Sequence, residues 1–267
     1  MKPFIVMCAP NGARKTKAHH PALPVSATDL ADCAESILSA GASIMHVHVR
    51  DDEGRHSLDV DRYRKATDAI RGRVGDQLVV QVTTEACGIY EPEQQIAMVR
   101  TLRPEAVSLA LKELCPGDIE IEVARDFFSW LKAERVMAQY ILYTPGEVER
   151  FGKLRDRGVI PDDRPFVLFV LGRYSDDLTG DPGELDGFIS VLDSDVEWAV
   201  CSFGRAEQQA ALRAASSYGH ARVGFENNFL LPDGSIAADN AALVRLAATC
   251  QTERPVATAA DVRNLFC

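Results

Sequence analysis

The stretch SATDLADCAESILSAGASIMHVHV, residues 26–49, carries two hydrophobic periods joined by a glycine. Its first half is amphipathic at helical spacing, opens at Ser26 or Thr28 as N-cap, and stops at Gly41. Its second half, SIMHVHV at 43–49, is a short apolar run rich in β-branched residues, as a strand covered on both faces reads. A helix feeding straight into such a strand is part of a βαβ unit.

The same order recurs along the chain. Apolar runs stand at FIVMCA (4–9), LVVQVTT (78–84), AVSLAL (106–111), RVMAQYIL (135–142), FVLFVLG (166–172), EWAVCSF (197–203) and ARVGFE (221–226). The amphipathic segments DVDRYRKATDAIRGRVG (59–75) and AEQQAALRAASSYG (206–219) again close on a glycine. Eight strands alternating with about eight helices imply parallel βαβ units. Within 267 residues that points to an α/β fold, a (β/α)8 TIM barrel forming one domain over 1–267, rather than an open doubly wound sheet. The longest irregular stretch, NGARKTKAHHPALPVS (11–26), follows the first strand.

Composition narrows the function. Apolar residues are 46% and charged residues 25%, ordinary for a chain that builds a large core. A net charge of −10 argues against a nucleic-acid partner, although a local basic pocket can still take an anion. Seven cysteines (Cys8, Cys33, Cys87, Cys115, Cys201, Cys250, Cys267) occur without a CxxC, so neither a disulfide framework nor a thiolate zinc site is suggested. A reducing cytoplasm is expected. The opening MKPFIVMCAPNG has too short an apolar run for a signal peptide, and no stretch approaches the ~18 apolar residues of a membrane span.

In a barrel the chemistry lies at the carboxyl ends of the strands, where His46 and His48 fall. Two residues apart on a strand, their side chains share a face about 7 Å apart at ~3.3 Å per residue. Two imidazoles so placed can lean onto one metal ion, or be two unrelated histidines. A catalytic zinc takes three protein ligands and keeps one position open, and Glu226 at the end of the eighth strand offers the third. Fe(II) or Mn(II) suits the same donors. Arg50 and Asp51, just beyond, read either as groups that orient the ligands or as a surface ion pair.

Four segments carry a resemblance: GASIMHVHVRDDEGRHSLDVDRYRKATDAI (41–70), VVQVTT (79–84), GHARVGFENNFLLPDGSIAADNAALV (219–244) and RPVATAADVRNLF (254–266). The chain resembles the β-keto acid cleavage enzymes, zinc-dependent (β/α)8 barrels, over nearly its whole length. The likeness is densest at the HxHxRD…GR and RxGFExN segments. It implies that His46, His48 and Glu226 hold Zn2+, that Arg222 is catalytic, and that Thr83 helps to hold substrate oxygens. It also implies the reaction: a β-keto acid and acetyl-CoA, the co-substrate, exchange parts to give acetoacetate and a new acyl-CoA. Such chemistry needs a Lewis acid, because charge develops on the keto oxygen when the adjacent carbon loses its proton. A homo-oligomer is implied as well.

The chain departs from the family pattern in four places. Asn227 stands where the family has an aspartate that works with the arginine. An amide has no proton to exchange near neutral pH, so Asn227 is expected to bind substrate and another group must act as base. Glu85 replaces a glycine and is the candidate base; a metal-side oxygen or an exposed loop acid are its other readings. Ala110, Lys112 and Glu113 replace a small hydroxyl-bearing loop, and Gln139 and Tyr143 stand where a glutamate-rich motif is absent.

Arg14, beside Lys15 and Lys17, occupies a position that is acidic in members with amino-bearing substrates. Arginine pairs bidentately with carboxylate or phosphate, so a neutral or anionic substrate is expected, unless this loop receives the CoA phosphates or is merely solvated. Arg50 joins Arg14 and Asn227 as a substrate-binding candidate; His19 and His20 have no expected role. Two other readings stand beside this one. One is a metal-dependent C–C lyase acting by retro-aldol cleavage or decarboxylation without CoA. The other is a metal-binding barrel that senses a ligand without turnover.

Overall fold

Short apolar runs joined by amphipathic helices bury both faces of a sheet only if the sheet is parallel and covered, and closure removes its edges. The computed structural model describes residues 2–250 and 253–266, so Cys267 and the outer ends of the 1–267 span lie outside them. Its strands are β1 (Val6–Cys8), β2 (Ile44–Val47), the short β3 (Val49–Arg50) and β4 (His56–Ser57), β5 (Val79–Thr83), β6 (Ala106–Ala110), β7 (Met137–Leu142), β8 (Phe166–Leu171), β9 (Glu197–Ser202) and β10 (His220–Val223). Eight of them form a closed parallel barrel in the order β1-β10-β9-β8-β7-β6-β5-β2, and β2 returns to β1 through Met7↔Ile44. The (β/α)8 barrel expected from the sequence is present.

The helices are α1 (Ala27–Ser39), α2 (Val60–Val74), α3 (Pro92–Leu102), α4 (Leu111–Leu114), α5 (Ile121–Ala133), α6 (Pro145–Asp156), α7 (Leu185–Ser190), α8 (Glu207–Ser216), α9 (Asn240–Ala248) and α10 (Ala259–Phe266). Ser26, not Thr28, caps α1: its hydroxyl accepts from Asp29 N at 3.0 Å while Asp29 Oδ2 accepts from Ser26 N at 3.1 Å. Helix α8 stops short of its expected glycine, and Tyr218 takes the left-handed turn at φ 63°. Gly219 is needed for another reason, since a Cβ there would lie 2.3 Å from the Trp198 ring. No helix among the described residues is long and apolar enough to cross a membrane.

The barrel interior changes character along its axis. Ile44, Val79, Ala106 and Met137 belong to an apolar inner layer, closed below by α10, whose Phe266 stacks on Phe166 at 4.6 Å. One strand period further on, two residues along each strand, stand His46, Gln81, Ser108 and Gln139, all buried. Apolar packing thus gives way to a polar layer at the carboxyl ends.

Several strands are a residue or two shorter than expected, and two of the differences shape the site. The run 43–49 is not one strand: β2 stops at Val47, and Asn11 then occupies the backbone of His48. Its Nδ2 donates to His48 O at 2.9 Å and its Oδ1 accepts from His48 N at 3.3 Å, replacing a neighbouring strand. Residues 49–50 leave to pair antiparallel with β4. The eighth run ends at Val223 because Gly224 adopts φ +133° against Ala9, whose oxygen would lie 2.5 Å from any Cβ. Glu226 therefore sits in the turn beyond β10 rather than on the strand.

Candidate active site

His46 is fixed from behind by amides. Its Nδ1 lies 2.9 Å from Gln81 Oε1, Gln81 Nε2 donates to Gln139 Oε1 at 3.2 Å, and Gln139 Nε2 reaches Met7 Sδ at 3.5 Å. This relay holds the His46 proton on Nδ1 and leaves the Nε2 lone pair free. Burial presses the His46 pKa down to about 3, so the ring is neutral.

The free Nε2 faces two other donors. His48 Nε2 is 3.1 Å away, and Glu226 Oε2 lies 3.6 Å from His46 Nε2 and 3.4 Å from His48 Nε2. Burial pushes the Glu226 carboxyl upward, but Arg222 and His48 outweigh it and hold the group well below the usual carboxylate range. Its Oε2 is buried without a hydrogen bond. Converging electron-rich atoms, buried and with a carboxylate oxygen lacking a hydrogen bond, suit a cation among them. Zinc bonds of about 2.0–2.1 Å set tetrahedral ligand atoms about 3.3–3.4 Å apart, and the observed triangle fits that edge. Among the described residues, His46, His48 and Glu226 form the group so arranged.

These donors line a cavity of about 430 Å³, counting its open mouth, together with Thr83, Glu85 and Arg222. Thr83 Oγ1 accepts from Glu85 N at 3.0 Å, so its own proton remains available to a ligand. Arg222 is 3% exposed, with Nη2 3.3 Å from both Glu226 Oε1 and Cys201 Sγ. Ile141, Tyr143, Val170 and Phe203 supply the apolar lining. Glu113 and Arg173 complete the charged part. Burial raises the pKa of Glu113, although Ala86 N and Gln95 Nε2 donate to its Oε2 at 3.1 and 2.8 Å.

Glu85 bridges several charges. Its Oε1 is 2.9 Å from Arg14 Nη1 and 3.7 Å from Arg173 Nη2, and its Oε2 is 3.9 Å from His48 Nδ1. Burial pushes its carboxyl up, but His48 and Arg14 more than offset this and keep it below the ordinary range. It is not an exposed loop acid.

Three expected site residues lie outside the cavity wall. Arg50 is buried, and its guanidinium donates to the carbonyls of Gly12, of Lys15 at 3.0 Å and of Gly54 at 3.1 Å. It anchors the loop after β1. Asn227 is 3% exposed, both its side-chain polar atoms lack a hydrogen bond, and it does not line the cavity. Arg14 is a rim residue already paired with Glu85.

The rest of the basic loop is engaged too. Lys15 donates to Phe225 O at 2.8 Å and Glu226 O at 3.1 Å, and Lys17 pairs with Asp29 at 2.8 Å. His20, expected to be idle, is buried with its ring 4.3 Å from that of Phe225 beside Glu226. Sequence reasoning missed Asn11, Gln81 and Arg173. Gln81 left a signal, one amide inside an apolar strand, whereas Arg173 left none.

A family model for beta-keto acid cleavage enzymes matches residues 3–267. The chain belongs to that family. Among β-keto acid cleavage enzymes, the 3-keto-5-aminohexanoate cleavage enzyme of Fusobacterium nucleatum is 30% identical over 273 residues, spanning 100% of this chain and 98% of that protein. The 3-oxoadipate:acetyl-CoA acetyltransferase of Cupriavidus necator is 28% identical over 278 residues, covering 99% of this chain and 95% of its own length. Among solved structures, apo ObcA superposes with a TM-score of 0.73 at 16% identity, over 92% of this chain and 65% of that one. That likeness concerns the barrel fold alone.

Proposed function

We propose that this chain works as one barrel domain, a zinc-dependent β-keto acid cleavage enzyme converting a β-keto acid and acetyl-CoA into acetoacetate and a new acyl-CoA. The observation that carries the reading is the meeting of His46 Nε2, His48 Nε2 and Glu226 Oε2 at the carboxyl ends of the strands. Relatives named as acetyl-CoA transferases support the co-substrate. A metal held by the three residues would act as a Lewis acid, easing the charge that develops on the keto oxygen.

The protein's own groups divide the remaining work. Arg222, fixed by Glu226 and Cys201, holds the substrate carboxylate. Thr83 donates its free proton to a substrate oxygen. Glu85 takes the proton from the carbon between keto and carboxylate; the neighbours that weaken it as a base make the step depend on a strongly acidified carbon. That carbon then bonds to the acetyl carbonyl and expels CoA thiolate. The thiolate attacks the former keto carbon, the bond to the α-carbon breaks, and the proton returns to that carbon, releasing acetoacetate and acyl-CoA. The substrate is neutral or anionic rather than amino-bearing. A homo-oligomer in the cytoplasm, where the free cysteines stay reduced, completes the proposal.

Metal analysis of the purified protein, followed by acetyl-CoA with a panel of β-keto acids, tests this. About one zinc per chain, loss of most of it in Glu226→Ala, and a new CoA ester are expected. Zinc without any new CoA ester would favour a CoA-independent retro-aldol or decarboxylation, the reading that the amide at Asn227 supports. A folded protein that binds no metal would overturn the proposal.

A further inference from the structure

Arg173 follows β8 on a tight turn. Gly172 takes φ +77°, and a Cβ there would lie 2.3 Å from Gly180 N, so the loop folds back tightly over the strand end. Ser175 Oγ accepts from Thr179 N at 2.9 Å and reaches Gly172 O at 3.0 Å, while Gly180 N donates to Phe203 O at 3.0 Å. The guanidinium, 23% exposed, lines the cavity with the rings of Phe203 and Tyr174 at 5.6 and 5.8 Å. Among the described residues its ion-pair partner is Glu85 Oε1 at 3.7 Å, an oxygen that Arg14 already holds at 2.9 Å.

Two arginines therefore share one carboxylate, while Glu113, the other acid near this end, is held by Ala86 N and Gln95 Nε2, so Arg173 keeps N–H donors to satisfy. A guanidinium carries five N–H donors, and half-buried between aromatic rings it gains most from a second planar anion. Glu85 also measures the gap, because its one carboxylate reaches from His48 to Arg173. A short chain spans it, with Ile141, Val170 and Phe203 as apolar cover for its methylenes.

We infer that Arg173 binds the far end of the substrate, and that this substrate is a short dicarboxylic β-keto acid. Its keto acid end lies against His46, His48 and Arg222 and its second carboxylate on Arg173; this rests on the reaction proposed above. A cationic tail would meet the Arg173 guanidinium and be rejected.

The test compares a dicarboxylic β-keto acid with the analogue in which methyl replaces the distal carboxylate, in wild type, Arg173→Met and Arg173→Lys. The ratio of kcat/KM, diacid over monoacid, should fall at least ~30-fold in Arg173→Met, chiefly through KM, with Arg173→Lys in between. An unchanged ratio overturns the inference. So does a raised KM for acetyl-CoA with either acid, which would assign the guanidinium to the CoA phosphates. Calorimetric titration of the zinc-loaded proteins with a saturated dicarboxylate of equal length supplies a readout without turnover. Binding lost in Arg173→Met, with no CoA ester formed by wild type, would refute the reaction while upholding this role. Equal binding by both proteins would refute the role itself.

Discussion

Gln81 decides how His46 is used. Its carbonyl fixes the imidazole tautomer, and Gln139 in turn fixes the orientation of the Gln81 amide. Removing such a partner commonly costs 10–100-fold in metal affinity, so Gln81→Leu should weaken zinc by about that factor in chelator competition. Wild-type affinity in that variant would show that the relay only packs the barrel. His48 is held differently, by its backbone through Asn11, and its Nδ1 has no hydrogen bond. The triad stood out in the sequence because ionisable side chains interrupted apolar runs. Gln81 interrupted one too, but an amide has many uses inside a barrel and its partner Gln139 is 58 residues away.

The loop after β1 and the turn after β10 meet at Gly12. That residue has φ +59°, and a Cβ would sit 2.6 Å from Glu226 Cγ. Gly12→Ala should therefore lower stability by roughly 1 kcal/mol for the left-handed backbone and also push Glu226 off its position. A fall in both Tm and zinc content is expected; a lower Tm with full zinc content would mean that the turn yields without moving the carboxylate. The centres of strands and helices were legible because hydrophobic period is local. Their ends were not, since Asn11 stops β2 and Ala9 shapes the turn after β10, and both act from distant segments. The loop cations misled for the same reason: Lys15 and Lys17 look free until the carbonyls and Asp29 are brought beside them.

At the scale of the whole barrel, buried imidazoles set an acid limit. Burial, aided by His48, lowers the pKa of His56 to about 4, and burial with Lys2 and Arg254 takes His220 well below the usual value. Below a pH of about 6.5 the unfolded chain takes up protons that the fold refuses, so stability is full above that pH and drops as pH falls towards 4. Thermal melts of metal-free protein from pH 7 to pH 4 should show a steady decline. A flat profile would mean that these rings are charged in the native state. Eight apolar runs sufficed to read the barrel, because few folds accommodate that many covered parallel strands in one chain of this length.

The relay through His46, Gln81, Gln139 and Met7 runs across barrel strands, whereas Arg14 and Arg173 come from the segments that follow them. Substitutions at the rim leave the wiring beneath undisturbed. Descendants of one ancestral gene can then diverge in diet while inheriting the same reaction.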